Sequence, residues 1–169
     1  MFLLKDVPKS EVIKAFARQM PDLDPSAAEA CLTLLRTASN VLLAMDAHFT
    51  RHDISQGRFS ILMTLTRAGD GHRTPAELAD RLGCTRATVT GLLDGLERDD
   101  FIERHPSSND RRRIDVVITK KGRAFLSAML PDHFRRVASL MSALSEKERR
   151  SLITLLAKVD EGIPALRDP

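Results

Sequence analysis

Residues 74–122 read TPAELADRLGCTRATVTGLLDGLERDDFIERHPSSNDRRRIDVVITKKG. Thr74, Pro75 and Glu77 have the spacing of a capping box with proline at the first helical position, so a short helix starts there, carries Leu78 and Leu82, and stops at Gly83. Thr85 then caps a second helix. In it Val89, Leu92, Leu93 and Leu96 recur on one face and leave Arg86, Thr88 and Thr90 on the outside. Two helices joined by so tight a turn form a helix-turn-helix. After Asp99 and Asp100 the period changes, and 101–104 and 114–119 read as strands, with Ile114, Val116 and Ile118 alternating inward. The connection, 105–113, holds proline, serine, asparagine and aspartate and ends in three arginines, which makes the pair a hairpin with a cationic tip, a wing.

Upstream, 56–67 predicts a helix with Phe59, Leu62, Met63 and Leu65 facing inward, ended by Gly69 to Gly71. Ser10 is placed to cap a short helix that stops before Pro21. Pro25 and Ser26, with Glu29 three residues after Ser26, mark the start of a longer helix reaching about Thr50. That helix is apolar on two sides: Leu32, Leu35, Leu42 and Phe49 form one stripe, Leu34, Val41 and Met45 another. A helix with two apolar faces must be covered on both. Burial between two subunits does this in so small a chain, and the centre of a monomeric bundle is the alternative. Downstream, Gly122 precedes a helix with Phe125, Leu126, Met129, Phe134 and Val137, interrupted or bent at Pro131. Ser145 and Glu148 cap a last helix with Leu152, Leu155, Leu156 and Val159. These helices are expected to join the long one in a dimer interface. The expected architecture is mainly α with a small β-hairpin wing: a winged helix-turn-helix at 56–120, an N-terminal extension and dimerisation helix at 1–55, and C-terminal dimerisation helices at 121–169, in one continuous fold.

The net charge of +3 over 169 residues is too small to imply nucleic acid by itself. Its distribution says more. From Arg104 to Arg123 there are seven cations (Arg104, Arg111, Arg112, Arg113, Lys120, Lys121, Arg123) against Asp110 and Asp115. A hairpin tip so charged, directly after a helix-turn-helix, fits a DNA backbone or a narrow minor groove while the preceding helix occupies the major groove. Arg86 is the residue placed to read a guanine edge, where a bidentate arginine supplies ~1–3 kcal/mol of discrimination. Thr85, Thr88 and Thr90 can meet phosphates or thymine methyls, although a capping role accounts equally well for Thr85. Gly91 offers no side chain for readout. Cys31 and Cys84 lie far apart, and the five histidines are scattered, so neither a disulfide framework nor a metal site is expected. No cofactor is expected either. No apolar run reaches the ~20 residues of a membrane span, and the reading is cytoplasmic. No nucleophile triad, P-loop, dinucleotide fingerprint or HExxH helix appears, which argues against an enzyme.

The segment from Thr74 to Gly122 resembles the DNA-binding core of the MarR family of bacterial transcriptional regulators, and the likeness extends more weakly over 26–163. Asp110 and Arg112 stand where that family has its wing Asp-x-Arg, and Ile118, Thr119 and Gly122 follow where it has Leu-Thr and glycine. Residues 1–25 fall outside the pattern. The resemblance implies a homodimer that represses from a pseudo-palindromic operator in duplex DNA, with Asp110 orienting Arg112 toward the minor groove. It further implies release by a small anionic or phenolic ligand, or by an oxidant, at the junction of the dimer helices and the winged module. Met45, His48, Phe59 and Met63 would line such a pocket and Arg51, His52 or Arg58 would meet an acidic ligand, although the apolar members serve equally as core. Cys31, 27 residues before Arg58, stands near where peroxide-sensing relatives place their reactive thiol. Leu35 and Met45 occupy the positions of the supporting tyrosines, which favours a buried packing role for Cys31. A packing role is expected for Cys84. A winged helix that binds protein, or any duplex without preference, is the remaining alternative.

Overall fold

The computed structural model describes residues 7–68, 71–107 and 113–167. In chain order the elements are α1 (Ser10–Ala17), α2 (Pro25–Thr50), α3 (Gln56–Thr66), β1 (His72–Arg73), α4 (Pro75–Leu82), α5 (Arg86–Arg98), β2 (Ile102–Pro106), β3 (Ile114–Ile118), α6 (Lys120–Leu140) and α7 (Glu146–Glu161), followed by a 3-10 turn at Ile163–Leu166. One compact unit runs up to Thr119 and a second begins at Lys120. Among the described residues no helix is long and apolar enough to cross a membrane.

In the first unit α3, α4 and α5 pack with a three-stranded antiparallel sheet of order β1-β3-β2. Ile61, Leu62, Leu65, Leu78, Val89, Leu93, Leu96, Ile102 and Val116 are at most 1% exposed and form its core. Removing each such side chain from water contributes ~1.5–3 kcal/mol, which makes this the best-sealed part of the chain. The expected chain punctuation is present. Thr74 Oγ1 accepts from the Glu77 N–H (3.3 Å) and the Glu77 carboxylate accepts from the Thr74 N–H (2.8 Å). That backbone N–H holds the Glu77 carboxyl below its ordinary value. Gly83 closes α4 at φ +60°, a conformation that costs a side-chain-bearing residue ~1–2 kcal/mol. β2 and β3 pair Ile102 with Ile118 through to Pro106 with Ile114.

Several expectations require correction. Ser10 is the first residue of α1 and caps nothing; Lys9 holds the cap position without a side-chain bond, and the Ser10 hydroxyl donates instead to Glu29 Oε2 at 3.0 Å. Glu29 is therefore no part of a capping box. Asp24 caps α2, accepting from the N–H groups of Ser26 (2.8 Å) and Ala27 (3.2 Å), with Pro25 at the first turn. β1 escaped the sequence reading and pairs His72 with Val117. Ile114, beside the hairpin's connecting loop, is 41% exposed, whereas Val116 and Ile118 face inward as expected. Pro131 lies inside α6 without ending it; the helix gives up one backbone bond, the one the Ser127 carbonyl would accept.

The long helices have far less core than their sequences demand. α2 buries Ser39, His48 and Phe49 and leaves Leu35, Leu42 and Leu43 exposed. α7 buries nothing: Ile153, Leu155, Leu156 and Val159 are 40–68% exposed. α6 exposes Phe134, Val137 and Leu140.

Candidate DNA interface

The outward residues of α5 are those its periodicity predicts. Val89, Leu93 and Leu96 are buried, while Arg86, Thr88 and Thr90 are exposed. Thr85 performs its capping role, accepting from the Thr88 N–H at 3.1 Å, and its hydroxyl lies 2.9 Å from that of Thr88. Thr90 Oγ1 donates back to the Arg86 carbonyl at 3.0 Å, so its methyl is the part left to meet a ligand. Arg86 extends from the first turn, and among the described residues no carboxylate pairs with it. The positive end of the helix dipole adds to its field. An unpaired guanidinium on the exposed N-terminal turn of a helix-turn-helix suits a base edge or phosphate in a major groove.

The wing begins at the β2–β3 hairpin, which the Ser107 N–H closes by bonding the Arg113 carbonyl at 2.9 Å. Asp110, Arg111 and Arg112 lie outside the described residues. Arg113 is exposed, and its Nη2 is 3.9 Å from Glu77 Oε1, so it relates the wing base to the start of α4. Arg104, counted among the cations available to phosphate, is committed elsewhere: it bonds Asp94 Oδ1 at 2.7 Å and approaches Glu97 at 3.5 Å. Lys120, Lys121 and Arg123 are exposed.

Arg58 also departs from expectation. It does not await an acidic ligand: its Nη2 bonds the Gly95 carbonyl at 2.9 Å and pairs with the Asp99 carboxylate, with 16% of the side chain exposed. The other candidate pocket residues share the α2–α3 region. The Phe49 and Phe59 rings are 4.7 Å apart, His48 is 5.5 Å from Phe49, and His52 is 5.0 Å from His48. His48 and Phe59 are buried, Met45, His52 and Met63 half-buried, and Arg51 exposed. Cys31 is exposed rather than packed, which corrects the expectation of burial; on a helix with an uncovered apolar face, an apolar-leaning residue need not be inside. Cys84 is half-buried in the turn between α4 and α5, where its N–H bonds the Ala79 carbonyl at 3.1 Å.

The sequence model of the MarR family matches residues 54–114. The HTH-type transcriptional repressor YetL of Bacillus subtilis is 34% identical over 165 residues, spanning 98% of this chain and 99% of that protein. The chain belongs to the MarR family. The transcriptional regulator PecS of Dickeya dadantii is 29% identical, covering 91% of this chain and 93% of its own length. The fold agrees as well. The crystal structure of a Staphylococcus aureus MepR–DNA complex superposes with a TM-score of 0.69 at 23% identity, over 79% of this chain and 95% of that one. As a MarR-family protein the chain is a DNA-binding transcriptional regulator and not an enzyme.

Proposed function

We propose that this MarR-family regulator is a homodimeric repressor that reads a pseudo-palindromic operator, with α5 in the major groove and the wing arginines beside it. The observation that carries the reading is the exposed Arg86 turn of α5, with the hairpin base at Arg113 continuing into the cationic tip. Dimerisation draws support from the apolar side chains left open on α2, α6 and α7. Ten exposed large side chains amount to on the order of 800 Å², the area one partner contributes to a standard stable interface. Two recognition helices so joined would reach half-sites ~34 Å apart. Arg86, Thr85, Thr88 and Thr90 act on the base-facing side, and Asp110, Arg111, Arg112 and Arg113 act on the wing.

Release by a small anionic or phenolic effector follows the family habit. With Arg58 held by Asp99, the exposed Arg51 is the better cation for an acid near Met45, His48, Phe59 and Met63. The test is binding to a labelled fragment of the gene's own upstream DNA, with excess nonspecific duplex, for wild type, Arg86→Ala and Arg112→Ala. Competitor-resistant binding by wild type, weakened by ~1 kcal/mol or more in each variant, supports the reading. Equal binding by all three proteins, removed by competitor, leaves a module without sequence preference. Titrating 2-hydroxybenzoate into the complex then tests the effector: release that Arg51→Ala abolishes supports the pocket, and no release at millimolar ligand refutes an acid of that class.

A further inference from the structure

Two arginines outside the DNA-facing residues grip α5 in its C-terminal half. Arg58 of α3 bonds the Gly95 carbonyl and the Asp99 carboxylate, and the residue before it, Gly57, marks the closest approach of the two helices: a Cβ there would stand 3.0 Å from Leu92 Cδ1. Leu92, Gly95 and Asp99 follow one another at spacings of three and four and so form one side of α5. Arg104 of β2 holds Asp94 at 2.7 Å and Glu97 at 3.5 Å, with 25% of its side chain exposed. On a helical wheel the two gripped sides lie nearly opposite, roughly 160° apart across the exposed face, and the buried stripe of Val89, Leu93 and Leu96 occupies the wider arc between them.

We propose that Arg58 and Arg104 are positioning residues for base readout: together they fix the roll of α5 about its own axis, and hence where Arg86 and Thr90 point. Apolar packing along the Val89–Leu96 stripe holds the helix down but is non-directional. A guanidinium fork is directional, and one on each side of the stripe opposes rotation either way. The same contacts neutralise Asp94, Glu97 and Asp99, acids that would otherwise repel phosphate and sit unfavourably at the negative end of the helix dipole. A rolled α5 keeps its charge and its distance from the backbone but misdirects the side chains that meet bases, so the loss falls on sequence preference.

This inference rests on the sequence-specific reading above, and the experiment separates the two. Duplexes are selected from a randomised pool with the wild-type full chain. Affinities for the selected and a scrambled duplex are then measured across a salt series for wild type, Arg58→Gln, Arg104→Gln and the charge-preserving Arg58→Lys and Arg104→Lys, well below each protein's measured unfolding midpoint. The glutamine variants are expected to lose about tenfold or more of the selected-to-scrambled ratio. The lysine variants, which keep the charge but lose the fork, are expected to lose less. The slope of log K against log salt should stay at its wild-type value, because it counts phosphate contacts and none is removed, and any repulsion from the uncovered acids weakens both duplexes alike and cancels in the ratio. An unchanged ratio overturns the proposal and leaves the arginines as stabilisers of the fold. A reduced slope also overturns it, by making them phosphate contacts. If a glutamine variant does not fold, its lysine counterpart decides on the same criteria. A wild type that selects no sequence defeats the specific-regulator reading and this inference with it, and that failure is visible in the wild-type arm alone.

Discussion

The winged-helix region and the terminal helices are built from similar proportions of leucine, isoleucine and valine, yet they use them in opposite ways. From α3 to β3 most periodic apolar residues are buried, and the helix starts at Thr74 and Thr85 are capped. In α7 the same periodicity buries nothing, and α2, three turns longer, buries only Ser39, His48 and Phe49. The DNA-reading module is thus complete within one chain, whereas the terminal helices leave apolar side chains uncovered, as the proposed dimer requires. The proposed dimer uses this division: the reading head keeps its shape alone, while the spacing between two heads is set by assembly.

Changes in the two regions should therefore fail differently. Leu93→Ala, in the sealed core, is expected to cost ~2–5 kcal/mol and to lower the unfolding midpoint by the same amount at every protein concentration. A concentration-dependent shift would mean that the module's core depends on assembly. Next in size, Ile153→Asp with Leu156→Asp on α7 should leave the fold intact by circular dichroism, yield a monomer in sedimentation, and weaken operator binding about 100-fold by removing the linked second half-site. A folded double variant that remains dimeric and binds normally would break the comparison. Thr74→Ala should cost ~1 kcal/mol, the usual worth of an N-cap. Glu77→Gln tests the same box through pH. The Glu77 carboxyl is held below its ordinary value of 4.5 by the Thr74 N–H, so its contribution is complete above that value and disappears as pH falls through the folded one. Wild type should lose stability relative to Glu77→Gln over that acid window, and parallel profiles would refute the role.

What the sequence made legible follows the same line. Local devices announce themselves: the Thr74–Glu77 box, Gly83, the Thr85 cap and the Val89–Leu96 stripe are all contained within a few residues. Asp24 was missed in favour of Ser26 although the signal was present, since proline at the first helical position makes the residue before Pro25 the cap. Non-local features gave no such sign. β1 is two residues long and exists only because β3, far along the chain, pairs with it. Arg58 and Asp99 are separated by 41 residues, and nothing in the charge pattern near either one points to the other. Their pairing turned Arg58 from a ligand contact into a support for α5. Burial of Cys31 and of the long helix's two stripes does not follow from residue type alone, because Cys31, Leu35, Leu42 and Leu43 are exposed on the single chain.

The smallest predicted effect concerns the junction where α5 hands over to β2. Asp100 adopts φ +58°, a left-handed conformation outside glycine's province, directly after the residue that Arg58 holds. The Phe101 N–H bonds the Leu96 carbonyl at 2.9 Å, and Thr119 Oγ1 donates to the Asp100 carbonyl at 2.7 Å, so backbone bonds on both sides enforce the turn. Neither bond uses the Asp100 side chain. Replacing it by glycine removes the Cβ penalty of ~1 kcal/mol or somewhat more, partly offset by the greater freedom of glycine in the unfolded chain, for a net gain of ~0.5 kcal/mol. Asp100→Ala keeps the Cβ and should fall below both, because aspartate tolerates this conformation better than alanine. Thermal unfolding of the three proteins should rank them glycine, aspartate, alanine. The reverse order would mean that the Asp100 carboxylate, rather than the backbone around it, sets the turn. In either case the effect should be independent of protein concentration, because the junction belongs to the region that completes itself.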